Sequence, residues 1–173
     1  MTDQIQAAID LIKESIQRGG KILACGNGGS ASQAAHLVAE LTGRFKSNRD
    51  PIPAYDLGGC VSLLTCIAND FGFDKVFSRQ IRGLGFAGDV LCAFSTSWKS
   101  PNIIEAVKVA NKRKMLVVAF GNGGWHLRKM QDNLRAFPFA GFINVWVTTN
   151  AGSTAGIQED HLRFIHAICE GLE

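Results

Sequence analysis

The sequence predicts an α/β fold, a three-layer, doubly wound parallel sheet, on three observations. Short apolar runs alternate with segments whose apolar residues recur at helical spacing. The runs end in loops rich in glycine, serine, threonine and asparagine. The 173 residues, 46% hydrophobic and 19% charged, suffice for one ordinary core. That composition excludes a disordered, collagen-like or heptad-built chain.

Ile5, Ala8, Ile9, Ile12 and Ile16 mark one helix face, and Gly19 and Gly20 stop the helix because glycine tolerates positive φ. The run Ile22 to Cys25 reads as a strand, Gly26-Asn27-Gly28-Gly29-Ser30 as its loop, and Ala34, Ala35, Val38 and Leu41 as the next helix. The same grammar returns at 52–57, 89–94 and 115–120, the last followed by Gly121-Asn122-Gly123-Gly124. A final strand near 143–147 leads through Thr148 to Gly152 into a terminal helix carrying Ile157, Leu162, Ile165, Ile168 and Cys169. No linker interrupts the pattern, so 1–173 reads as a single domain. The two Gly-Asn-Gly-Gly strings have unlike surroundings and read as one turn chemistry reached twice.

Eighteen basic against fifteen acidic residues give a net charge of +3, with no basic stretch beyond groups such as Lys112, Arg113 and Lys114. This suits a small anionic ligand rather than a nucleic-acid backbone. Five scattered cysteines, never spaced C-x-x-C, predict a reducing compartment and no zinc knuckle. Met1 to Gln4 open no basic, apolar leader, and no apolar run approaches the ~18–20 residues of a membrane span. The expectation is a cytoplasmic protein that binds neither membrane nor nucleic acid.

In an open parallel sheet, ligands gather beyond the carboxyl ends of the strands, where all the candidate loops fall. Gly26 to Ser30 offers unobstructed backbone N–H groups at a helix N-terminus, a place for a phosphate or a sugar hydroxyl. The spacing Gly26-x-Gly28-x-x-Ala31 also satisfies a loose dinucleotide fingerprint, with Asp56 as the ribose acid, which makes a nucleotide-binding oxidoreductase one rival reading. Ser95, Thr96, Ser97 and Ser100, with a helix beginning near Asn102, place several hydroxyls and helix-terminal amides within reach of one phosphate.

His36 and Glu40 stand four apart and share a helix face, where they can hold a metal or a substrate proton, or simply face solvent. The terminal helix adds Gln158, Glu159, His161 and His166, and spacing alone does not choose among them. Gln158 and His166 lie ~12 Å apart along an ideal axis, which makes Gln158 the weakest joint ligand.

Together these residues resemble the sugar isomerase (SIS) domain of the sedoheptulose 7-phosphate isomerases, or phosphoheptose isomerases. The resemblance runs through Cys25-Gly26-Asn27-Gly28-Gly29-Ser30, His36-Leu37-Val38-Ala39-Glu40-Leu41-Thr42-Gly43-Arg44-Phe45, Ala68-Asn69-Asp70-Phe71-Gly72-Phe73 and Phe77-Ser78-Arg79-Gln80. It continues through Gly88-Asp89-Val90-Leu91, Ser95-Thr96-Ser97 and Ile157-Gln158-Glu159-Asp160-His161 with His166, and fits poorly only from about Trp125 to Gly156. It implies a flavodoxin-like or Rossmann-like sheet and conversion of sedoheptulose 7-phosphate into D-glycero-D-manno-heptose 7-phosphate, for bacterial heptose and lipopolysaccharide synthesis. It implies Glu40 as catalytic base, His166 as acid partner, and one zinc ion (Zn2+) per subunit on His36, Glu40, Gln158 and His166. Asn27, Gly28, Gly29, Ser30, Asn69, Asp70, Ser95, Thr96, Ser97, Ser100 and Gln158, with Glu40, would surround the sugar phosphate. It also implies a homotetramer with sites near subunit contacts. A noncatalytic relative that binds a replication initiator or senses a sugar phosphate is the second rival.

The chain departs from the family pattern in places. Ser95-Thr96-Ser97-Trp98-Lys99-Ser100 stands where the family reads Ser-Thr-Ser-Gly-Asn-Ser, so Trp98 is expected to be strained or the loop rebuilt, with Lys99 a further cation for phosphate. Gly156 replaces an arginine, with weaker substrate binding expected. The family's helix ahead of Asp3 is not seen, with weaker tetramer packing expected.

Overall fold

The structure is a computed structural model that describes residues 2–123 and 143–173. Five parallel strands, β1 (Ile22–Cys25), β2 (Ala54–Asp56), β3 (Val90–Phe94), β4 (Leu116–Asn122) and β5 (Val145–Thr149), form one sheet in the order β2-β1-β3-β4-β5. In register, Leu23 of β1 pairs with Tyr55 of β2 and Leu91 of β3, and Phe94 of β3 pairs with Phe120 of β4. Strand order reverses between β1 and β3, so the loops after those strands diverge and leave a crevice between them.

Alternation of side chains along each strand divides the core in two. Ile22, Ala24, Val90, Cys92, Phe94, Val118, Phe120 and Val147 face α1 (Asp3–Gln17), α2 (Gly29–Thr42) and the terminal helix, α6 (Thr154–Leu172). Leu23, Cys25, Leu91, Ala93, Val117 and Ala119 face the other side, covered by α3 (Val61–Phe71), α4 (Ser78–Leu84) and α5 (Pro101–Lys112). Burial on both faces is why the strands read as continuous apolar runs. Among the described residues, no helix is long and apolar enough to cross a membrane.

The elements differ from the sequence reading chiefly at their ends. β2 spans only Ala54–Asp56, and β5 begins two residues later than expected, at Val145. β4 runs on through Gly121 and Asn122 because each pairs in register with Thr148 and Thr149 of β5. The first half of the second glycine string is therefore strand, and its Gly124 lies outside the described residues, as do Trp125 to Phe142. The short helix α4 and the 3-10 turn Phe73–Lys75 before it were not anticipated. Buried Gln80 fixes α4 by donating to the carbonyls of Leu57 and Val76, both at 2.8 Å, which gives its place in the Phe77–Gln80 motif a structural cause.

Candidate active site

Two loops flank the crevice at the switch point. After β1 the chain doubles back so tightly that a Cβ on Gly26 would collide with the Ser30 backbone, and Gly28 adopts φ 56°, a conformation open to glycine. α2 begins at Gly29 with no side-chain cap; the Ser30 and Ala31 N–H groups donate to the carbonyls of Asn27 and Gly28, so among the described residues the amides open to an anion are those of Gly28 and Gly29. α5 likewise begins uncapped, behind Ser100 and Pro101. The two helix starts are clasped by Asn27 and Asn102, whose carboxamides exchange two hydrogen bonds of 2.8 Å.

Ser95 closes β3 and is buried, while Thr96, Ser97 and Ser100 are half-buried along the loop. Ser95 Oγ accepts from the Trp98 N–H at 2.9 Å, and Ser97 Oγ accepts from the Lys99 N–H at 3.3 Å. A hydroxyl that accepts an N–H keeps its own proton to donate, so both serines remain donors. Lys99 is exposed. Gln158 lies over Gly29, where a Cβ would run into its carboxamide.

The second group of side chains sits further along the same two helices. His36 Nε2 is 3.4 Å from Glu40 Oε1 and 3.1 Å from His166 Nε2, so Glu40, His36 and His166 form one contact chain. All three are half-buried. Phe45 stacks on the His166 ring at 5.4 Å between centroids and 24° between planes. Arg49 donates to the carbonyls of Glu40 at 2.7 Å and Leu41 at 2.8 Å, satisfying the end of α2 just where Glu40 projects.

Glu40 and His166 meet away from the crevice, on the flank of the sheet covered by α2 and α6. α2 runs back from the carboxyl edge of the sheet, so Glu40 lies eleven residues beyond Gly29, about 16 Å along the helix. Gln158 beside Gly29 and His166 beside His36 show α2 and α6 side by side in the same direction. Within one chain Gln158 is therefore two turns from the histidines.

Among the described residues, no group of three or more His, Cys, Asp or Glu is arranged to hold a metal ion. The facing imidazoles share one hydrogen bond instead. Asn69 and Asp70 stand exposed at the far end of α3, bonded to each other at 2.8 Å, with the Cys66 thiol 3.8 Å from Asp70. One chain does not bring them to the loops. His161 is fully buried against Phe94 and Phe120 with neither ring nitrogen paired among the described residues, and burial lowers its pKa to about 4. Glu159 is exposed.

Asp56 accepts from the Gly58 N–H at 2.8 Å, and burial raises its carboxyl above the usual carboxylate value. It caps its own turn instead of presenting itself to a ribose. The five cysteines are free, and burial drives the thiols of Cys25, Cys92 and Cys169 upward, leaving them unreactive. Gly156 donates to the Ser153 cap at 3.1 Å, and a Cβ there would lie 3.2 Å from Ala151 and 3.3 Å from Ser153. That turn is built for a small residue.

Sequence reasoning missed Asn102, Phe45 and Arg49 as parts of the site. Phe45 lay inside a quoted motif, but nothing in the spacing tied it to a histidine 121 residues later. Asn102 was seen only as the start of a helix.

The SIS domain family matches residues 1–122. The phosphoheptose isomerase of Dechloromonas aromatica is 44% identical over 174 aligned positions, covering 100% of this chain and 84% of the relative. The solved structure of the Neisseria gonorrhoeae phosphoheptose isomerase superposes with a TM-score of 0.85 at 41% identity, over 99% of this chain and 85% of that one. That from Francisella tularensis does so with 0.86 at 31% identity, over 98% and 84%. These likenesses favour neither the noncatalytic reading nor the nucleotide-binding one.

Proposed function

The chain belongs to the SIS domain family and, within it, to the phosphoheptose isomerases, and from that membership we propose how its residues perform the reaction. The substrate is a sugar phosphate, sedoheptulose 7-phosphate, and the chemistry is ketose–aldose isomerisation. The observation that carries the reading is the unbroken contact from Glu40 through His36 to His166.

Isomerisation moves one proton between adjacent carbons. Glu40 removes the proton from C1 while His166 delivers one to the carbonyl oxygen at C2, giving an enediol. The O1 proton then leaves and C2 gains a proton, which completes the aldose. A carboxylate and an imidazole are suited to this at neutral pH. His36 bridges the two and holds them in register, while Phe45 fixes the plane of the His166 ring. The phosphate lies among Ser95, Thr96, Ser97, Ser100, the Ser30 hydroxyl and the amides of Gly28 and Gly29, with Asn27 held in place by Asn102. Gln158, over Gly29, is placed for the sugar.

Extended, a seven-carbon sugar phosphate spans about 10 Å at ~1.5 Å per bond, less than the about 16 Å of helix between Gly29 and Glu40. The phosphate loop of one protomer would then serve the Glu40–His166 pair of a neighbour, an arrangement open to the homotetramer that the family resemblance implies. Exposed Val61, Leu63, Phe71 and Phe73 on and beside α3 give such an assembly apolar surface to bury, and the same contact would carry Asn69 and Asp70 to a neighbouring sugar.

The implied zinc ion fits by donor type but not by arrangement within one chain. Two imidazole nitrogens and a carboxylate oxygen are ligands zinc takes, yet the two Nε2 atoms face each other 3.1 Å apart. His36, His166 and Glu40 would hold the ion only with that contact opened. When bound it would stabilise negative charge on the substrate oxygens. The proton steps above run through the side chains alone.

The direct test is turnover of sedoheptulose 7-phosphate by the folded, zinc-supplied protein, followed by formation of the aldose. Aldose formation is expected, and its absence would reject the reading.

A further inference from the structure

We propose that Trp98 is a positioning residue for the phosphate loop, acting through Ser95 and forming one packing unit with Trp146; the assignment of that loop rests on the function proposed above. Trp98 adopts φ 51°, in the left-handed region where a bulky side chain is strained and a glycine is free. Such strain persists only where the surroundings over-determine the conformation, and here they do. The indole is 3% exposed and lies so close to Gly121 that a Cβ there would collide with Nε1, stand 2.7 Å from Cδ1 and stand 3.0 Å from the Ser95 carbonyl oxygen. Its other neighbour is Trp146 of β5, edge-on, with ring centroids 5.1 Å apart and planes at 65°.

The two places where the sequence departs most from its family therefore meet. Trp98 stands where the family has glycine, and Trp146 lies in the stretch that fits the family poorly. A glycine would leave the loop free, whereas the indole ties it to the ends of β4 and β5. The tie reaches the ligand-binding atoms by one hydrogen bond. The Trp98 N–H occupies an acceptor position on Ser95 Oγ at 2.9 Å, which orients that hydroxyl and reserves its proton for the phosphate.

The anchor is the ring and not its polar atom. Among the described residues, indole Nε1 is buried with no hydrogen-bond partner, so shape holds the ring there. Phenylalanine at this position would keep a ring in the slot and remove the unpaired donor.

The test measures kcat and KM for sedoheptulose 7-phosphate, and the dissociation constant of inorganic phosphate by calorimetry, on the wild type, Trp98→Phe, Trp98→Gly and Trp146→Ala. Trp98→Gly is expected to raise KM and the phosphate constant together by about tenfold, with kcat within about twofold. Trp98→Phe is expected to stay within about twofold of wild type in all three. Trp146→Ala should move in the same direction as Trp98→Gly, and the double variant should be no worse than Trp98→Gly alone, as expected of one unit. Unchanged KM and phosphate binding in Trp98→Gly, or equal damage from Trp98→Phe, overturns the proposal. Should Trp98→Gly fail to fold by circular dichroism, wild-type constants in Trp146→Ala overturn it equally. A wild type that binds phosphate without turnover removes the isomerase reading and leaves the anchor measurable, whereas a wild type that binds no phosphate overturns the anchor itself.

Discussion

Asn27 and Asn102 hold the crevice at a fixed width, each carboxamide donating to the other's oxygen at 2.8 Å across the point where strand order reverses. Asn27 lies in the loop before α2 and Asn102 in the first turn of α5, and neither helix has a side-chain bond from its N-cap residue. Asn102 also accepts from the Ile103 N–H at 3.0 Å, so one side chain both ties the two helix starts together and satisfies an amide of α5.

Asn102→Ala leaves the Asn27 carboxamide half-buried without its partner. The expected cost is about 1–3 kcal/mol of stability in urea unfolding, together with a rise in KM that exceeds any fall in kcat. Loss of kcat with KM intact would place Asn102 elsewhere in the reaction.

Fold and site differ in how far the sequence discloses them. The central strands were legible because burial on both faces makes Ile22–Cys25 and Val90–Phe94 pure apolar runs. The two anion loops were legible because Gly26, Gly28 and the serines from Ser95 to Ser100 are chemically unusual for a plain turn. Glu40 and His166 were legible only through a family pattern, since 126 positions separate them. Their placement low on the helices was not legible from the motifs, because a motif gives the order of residues but not the direction in which its helix runs. The Asn27–Asn102 clasp stayed hidden for a similar reason: asparagine is ordinary in loops, and its partner lies 75 residues away.

His161 gives the fold a pH dependence. Burial lowers its pKa from the usual 6.5 to about 4 in the folded protein, so between those values the unfolded chain binds the extra proton. Stability attributable to this group is whole above pH 6.5 and falls as pH drops toward 4, by about 3 kcal/mol at most. The urea midpoint of the wild type should fall across that interval, and His161→Phe should flatten that part of the profile. An unaltered slope in the variant would assign the dependence to other groups.

Zinc content separates the two roles assigned to the α2–α6 seam. On the proposed assignment, zinc supplied to the wild type should survive dialysis, whereas His36→Ala and His166→Ala should lose it. Gln158→Ala should keep its zinc and show a raised KM, because Gln158 lies over Gly29. Loss of zinc from Gln158→Ala would instead make it a ligand contributed across a subunit contact.

The proposed sharing of sites between protomers predicts complementation. Glu40→Gln carries an intact phosphate loop, and a Ser95→Ala/Ser97→Ala variant carries an intact proton-transfer pair. Mixed and refolded together, the two inactive proteins should regain a measurable fraction of wild-type activity. A mixture no more active than its components would confine each site to one chain.

Deuterium from solvent reports the proton transfer itself. In D2O, the wild type should incorporate deuterium at the carbon that receives the transferred proton, and Glu40→Gln should lose both exchange and turnover by about a thousandfold, the scale of a lost general base. Exchange persisting in Glu40→Gln within about tenfold of wild type would show that another group takes the proton, and would contradict the account at its centre.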